Sequence, residues 1–114
     1  MKIRKFHLYL ADLSPRFGTE PGKRRPVVVL QTNLLNDAQH PSTIICPVST
    51  RVIQGSEILR VHVVKKGTRL KKDSDILVDQ IRAIDNRRFV EHLGELNPDD
   101  KVKLIENLKV LLFE

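Results

Sequence analysis

The chain has 114 residues, room for one domain with one core, and its 40% hydrophobic and 30% charged content is that of an ordinary globular protein. A net charge of +6 directs it towards an anionic partner, whether RNA, DNA or an acidic polypeptide. Cys46 is the single cysteine, which excludes an intramolecular disulfide, and no apolar stretch approaches membrane-spanning length.

In chain order, the basic start Met1–Lys5 leads into an apolar segment that stops at Asp12, too short for a signal peptide, so a cytoplasmic protein is expected. Residues 6–12 read as a first strand holding Tyr9. The loop from Leu13 to Arg25 follows, with Pro15, Gly18, Pro21 and Gly22; loops of that length in a small domain are usually functional. Val27–Gln31 reads as a second strand, Asn33–Pro41 as a polar connection, and Ser42–Val48 as a third strand in which Cys46 is a small buried hydrophobe rather than a catalytic thiolate. After a polar loop from Thr50 to Glu57, Ile58–Val64 reads as a strand, and Lys65, Lys66, Arg69, Lys71 and Lys72 as a solvated hairpin surface that adds phosphate attraction.

Asp75–Asp79 should be a further strand, which Ile81–Ile84 either continues or accompanies as a separate pairing segment; Arg87–Leu93 is a short strand or a turn of helix. The last element is a helix: Asn97 is the expected N-cap, Pro98 fits the first helical position, and Asp99 and Asp100 complement the positive helix end. Val102, Ile105, Leu108, Leu111 and Leu112 then share one face. The pattern predicts a mainly β fold, a small barrel or curved sheet capped by a C-terminal helix.

Two strand ends carry complementary polar groups. Pro26 biases Arg25 towards an extended conformation just before the apolar run Val27–Leu30, so its guanidinium should be held firmly and well placed to meet a phosphate. Ser49 and Thr50 follow the third strand, where their hydroxyls either serve chemistry or satisfy a loop amide. Glu20, five residues before Arg25, orients the guanidinium or accepts a proton, or else is a solvated loop carboxylate. Gln80 and Arg82, two apart on a possible strand, would share a face and reach a base or phosphate; a structural hydrogen bond is the rival for Gln80. Arg16, Lys23 and Arg24 add positive charge on the same loop. His7, His40, His62 and His92 lack metal-ligand spacing, Asp73-Ser74-Asp75 lies in a basic turn, and Asp99-Asp100 caps the helix, so no metal or other cofactor is expected.

Gly18-Thr19-Glu20, the run Arg25-Pro26-Val27-Val28-Val29, Pro47-Val48-Ser49-Thr50 and Asp79-Gln80-Ile81-Arg82-Ala83-Ile84-Asp85, in that order over roughly residues 8–112, resemble the MazF/PemK family of toxin endoribonucleases. The resemblance implies an SH3-like barrel acting as a homodimer. It also implies sequence-selective, metal-independent cleavage of single-stranded RNA by attack of the 2′-hydroxyl, and inhibition by a cognate antitoxin whose acidic tail occupies the RNA groove. By the same resemblance Arg25 and the hydroxyl at Ser49 share the acid–base work, and the segment around Gln80 and Arg82 helps form the groove. The family has threonine where this chain has Ser49; serine keeps the hydroxyl but loses the β-branch that fixes its rotamer, so Thr50 stays open as a substitute. Two alternatives belong to other classes: a gyrase-poisoning toxin of the same barrel, which would not need the Glu20 and Arg25 loop, and a catalytically inactive RNA- or antitoxin-binding module, which Ser49 makes conceivable. The loops Leu13–Arg24 and Arg51–Glu57 would set the cleavage motif.

Overall fold

The structure is a computed structural model of the chain and describes residues 1–15, 17–19, 22–55 and 58–114. Its antiparallel sheet comprises β1 (His7–Asp12), β2 (Arg24–Val29), β3 (Ser42–Ser49), β4 (Arg60–Val63), β5 (Ser74–Leu77), β6 (Arg82–Asp85) and β7 (Phe89–Glu95). A short helix α1 (Asn33–Asp37) precedes β3, and α2 (Pro98–Phe113) ends the chain. The strand order is β4-β5-β3-β2-β1-β7, with β6 also on β3. β3 can serve so many neighbours because it is the longest strand: one edge pairs β6 through Ser42–Ile45 and β5 through Val48 and Ser49, and the other pairs β2 through Ile45–Pro47. The sheet curls into a barrel-like shape that stays open, since β4 and β7 end the hydrogen-bonded path among the described residues.

The unbroken apolar run in β2 has a simple cause. Val28 packs with Leu8, Cys46 and Val48 on one side of the sheet, while Val27 and Val29 pack with Tyr9, Ala11 and Ile45 on the other. A strand buried on both faces shows no polar alternation. Gly94 allows the outer strand to follow the curl: it sits at φ +138 beside a register shift between β1 and β7, and a Cβ there would lie 3.3 Å from the Cβ of Thr68.

Several expected boundaries move. β2 begins at Arg24, and the polar connection holds α1, capped by Thr32, whose Oγ1 accepts from the Leu34 N–H at 3.2 Å. A 3₁₀ turn at Val78–Gln80 ends the strand expected over Asp75–Asp79, and β6 then pairs separately with β3. The ambiguous segment near residue 90 is both of its alternatives, a 3₁₀ turn at Asn86–Arg88 and then β7. The cap of α2 is as expected, with the Asn97 side chain accepting from the Asp100 N–H at 2.8 Å and Pro98 opening the helix. Its buried face is not the expected one. Leu104 is fully buried with Leu108 and Leu111 beside it, whereas Val102, Ile105 and Leu112 are exposed. The helix packs on β4 and the turn at 78–80 and meets the core along a narrow stripe, centred on Asp100, Leu104, Leu108 and Leu111, so apolar residues flanking that stripe stay outside. Among the described residues no helix is long and apolar enough to cross a membrane.

Candidate active site

β1 and β2 pair as Asp12 with Arg24 and Ala11 with Arg25, so Arg25 is built into the ladder as the second residue of its strand. Lys23, just before it, has φ 64, a bend that few non-glycine residues adopt and that is held by a 2.8 Å hydrogen bond from the Leu13 N–H to the Lys23 carbonyl. Arg25 is half-buried, and its Nε donates to the Gly22 carbonyl at 3.1 Å, which folds the side chain against the loop. Arg88 anchors the other end of that loop by donating to the carbonyls of Asp12 and Ser14 at 2.9 and 2.6 Å.

β2 and β3 are in register at Val27 and Pro47. Continued two residues outward, that antiparallel register sets Ser49 level with Arg25. On its other edge Ser49 pairs with Asp75 of β5, which in turn pairs with His62 of β4. One row across the sheet therefore reads Arg25, Ser49, Asp75, His62. The Ser49 hydroxyl oxygen accepts from the Arg51 N–H at 3.1 Å. Ser49 thus satisfies a loop amide, one of the two sequence readings, and its side chain also lines the cleft at the end of β3.

Above this row lies a cleft of about 620 Å³. Thr19, Gly22, Pro26 and Val48 form part of its wall, Ser49 and Thr50 supply hydroxyls, and Lys23, Arg24, Arg25, Arg51 and Arg60 supply five cations. No carboxylate lines it among the described residues. Such a cleft suits a phosphate chain. A smaller cleft of about 410 Å³ shares Thr19 and Arg60 with the first and continues to Leu59, Leu77, Asp79 and Gln80. There a carboxylate and an amide could read a base edge.

The sequence-predicted residues are thus only partly assembled. Arg25, Ser49, Thr50, Lys23 and Arg24 meet in the main cleft, and Gln80 lines the smaller one. Arg82 lines neither; it lies in β6 opposite Ile45, and because Gln80 belongs to the 3₁₀ turn the two do not alternate along one strand. Glu20 and Arg16 lie outside the described residues. Cys46 is fully buried, and that burial pushes its thiol up to about 12, so it is no nucleophile. His7 and His92, 85 residues apart in the chain, face each other across β1 and β7 with Nδ1 and Nε2 2.9 Å apart. Among the described residues no three metal-ligating side chains converge.

Sequence reasoning did not single out Arg60, Arg51, Thr19 or Asp79 as site residues, and it gave Asp75 no role beyond a strand start beside a basic turn. Asp75 is a fully buried member of β5. Burial alone would push its carboxyl up, but hydrogen bonds from Arg60, the Ile53 N–H and His62 more than offset this and hold it below the usual range. The alternation of Arg60-Val61-His62-Val63, with Val61 and Val63 buried, is the one local signal that Arg60 and His62 share a side.

Comparison with solved structures places this arrangement in context. A MazF from Deinococcus radiodurans superposes with a TM-score of 0.82 at 28% identity, over 100% of this chain and 99% of that one. A MazE–MazF structure from the same organism matches with a TM-score of 0.75 at 27% identity, over 98% and 96% of the two chains. A Mycobacterium tuberculosis toxin, MazF-mt6, matches with a TM-score of 0.74 at 20% identity over 92% and 94%, which shows a shared fold. The helix-capped, barrel-like sheet is therefore the MazF fold. The model of the PemK-like, MazF-like toxin of type II toxin–antitoxin systems matches residues 4–112, and the chain belongs to that family.

Proposed function

We propose that this chain, acting over residues 1–114 as one toxin domain in the cytoplasm, is a sequence-selective endoribonuclease that cuts single-stranded RNA without a metal. The observation that carries the reading is the placement of Arg25 level with Ser49 at the floor of a cleft lined by five cations. RNA supplies its own nucleophile. The 2′-oxygen attacks the adjacent phosphorus, the bond to the 5′-oxygen breaks, the 2′-hydroxyl proton leaves, and the departing 5′-oxygen takes up a proton. The ends are a cyclic phosphate and a 5′-hydroxyl. Arg25 stabilises the negative charge that builds on the phosphorane oxygens, a task for a guanidinium already held in place. Ser49, with Thr50 beside it, orients the ribose and relays a proton to the leaving oxygen, taking one in turn from water, while Glu20, on the loop before Arg25, receives the 2′ proton and returns it to water, so that both side chains end as they began. Thr50, Lys23, Arg24 and Arg16 hold the strand's phosphates, and Gln80 and Arg82 help read unpaired bases.

The partner is a cognate antitoxin, consistent with the MazE–MazF structure among the neighbours, and the working unit is a homodimer. An acidic antitoxin segment fits the same basic cleft, ordering as it binds. The test is incubation of the purified protein with a long mixed-sequence RNA in chelator, mapping new 5′-hydroxyl ends. Cleavage at recurring short sequences by the wild type, lost in Arg25→Ala, is the expected result. Binding without cutting would leave an RNA- or antitoxin-binding module, and neither binding nor cutting would redirect the search to gyrase.

A further inference from the structure

Arg60 is the side chain that both clefts share, together with Thr19. It is only 22% exposed, and a single nitrogen, Nη1, makes its two hydrogen bonds, to the Arg51 carbonyl at 3.1 Å and to Asp75 Oδ2 at 2.9 Å. Its Nε and Nη2 have no protein partner among the described residues. Asp75 beneath it is wholly buried with both oxygens engaged: one takes Arg60 and the Ile53 N–H, the other takes His62. A buried carboxylate with that many donors is an expensive way to hold a surface arginine unless the position of the arginine matters. The geometry is that of a guanidinium fixed along one edge and open along the other, as bidentate phosphate recognition requires.

We infer that Arg60 is a phosphate-binding residue, taking a phosphodiester that flanks the one facing Arg25 and Ser49, and that Asp75 is the residue that positions it. The strand would then run from the main cleft past Arg60 into the smaller one, with the next base near Asp79 and Gln80. This rests on the reading of the cleft as an RNA-cleaving site. It goes beyond it by adding a subsite that the motif residues do not contain.

The test is a set of short RNAs carrying one cleavage site and a single neutral methylphosphonate at each flanking position in turn, assayed with wild type, Arg60→Ala, Arg60→Lys and Asp75→Asn. Arg60→Ala should lower kcat/KM about tenfold or more, mainly through KM, because a flanking phosphate is held equally before and during reaction. At one flanking position the methylphosphonate should cost the wild type a similar factor and cost Arg60→Ala almost nothing further. Arg60→Lys should recover part of the loss, and Asp75→Asn, checked for an unchanged circular dichroism spectrum, should shrink the penalty at that same position. Should Asp75→Asn fail to fold, the Arg60 variants alone decide. Additive losses at every position, or an Arg60→Ala enzyme of wild-type kcat/KM, would overturn the assignment. The same cycle measured as binding, with 2′-deoxy at the cleavage site, separates the two ideas. Wild type that binds but never cuts refutes the nuclease while still deciding Arg60, and wild type that does neither refutes both.

Discussion

At the level of single residues, Ser49 carries two loads at once. Its oxygen accepts the Arg51 N–H, which fixes the start of the loop after β3, and in the proposed reaction its hydroxyl also serves the leaving oxygen in the cleft it lines. Ser49→Ala should therefore lower cleavage about a hundredfold, the range of a lost acid–base group, and more than Thr50→Ala does. Ser49→Thr should be as fast or faster, because β-branching limits χ1. Single-turnover rates on one RNA check this; equal and small losses from both alanine variants would move the proton donor elsewhere. Arg25→Ala should cost about a hundredfold or more with the fold intact, as expected for one lost preorganised donor. A variant with unchanged circular dichroism and undiminished rate would remove Arg25 from the site.

The elements make predictions of their own. In α2 only Leu104 is fully buried, so Leu104→Ala should cost about 2–5 kcal/mol of stability, and Ile105→Ala, at the exposed flank, a fraction of that. Urea unfolding of both variants would show whether the narrow stripe is the real one; comparable losses would restore the broader face read from the sequence. The seam between β1 and β7 should be sensitive to pH. Burial lowers the His7 pKa, Glu95 opposes this, and His92, Lys101 and Arg4 lower it further, so the net direction is down. A histidine with a depressed folded value takes up its proton more readily when unfolded, so stability should fall as pH drops below the ordinary value near 6.5. The buried or paired carboxylates Asp75 and Glu95, whose values are also lowered, lose their contribution only at lower pH, below about 4. Urea midpoints at pH 7.5 and 5.5 should therefore differ in the wild type and converge in His7→Leu.

For the whole molecule the question is where the net charge of +6 is placed. Much of it is gathered in Lys23, Arg24, Arg25, Arg51 and Arg60 around one cleft, while Lys65, Lys66, Arg69, Lys71 and Lys72 stand exposed on or beside the β4–β5 connection. An acidic antitoxin segment and an RNA strand should then exclude each other. Binding of labelled RNA to Arg25→Ala should weaken steeply with salt, by about 0.7 in log–log slope for each phosphate neutralised. Added acidic peptide should shift the binding curve to higher RNA concentration without lowering its plateau. A ternary complex with both ligands at full occupancy would place the antitoxin on another surface, with inhibition acting through the loop that begins at Leu13.

What the sequence by itself determined is what short-range rules govern. Pro26 before a β-branched run made Arg25 an extended, strand-borne arginine, Asn97-Pro98 with two aspartates made a helix start, and the ordered motifs pointed to the family that the match over residues 4–112 establishes. Element type followed too wherever an apolar run was bounded by turn residues, because such runs have few other uses, whereas the polar segment that holds α1 carried no such signal. The tertiary structure alone decided which side chains meet. Ser49 lies level with Arg25 through a register that no local pattern encodes, and Arg60 enters the site only because β4 is laid against β5, where Asp75 can hold it. The same holds for α2, whose apolar residues outnumber the positions that its narrow contact with β4 can bury. Periodicity tells which residues share a side; only the packing of distant strands tells what that side faces.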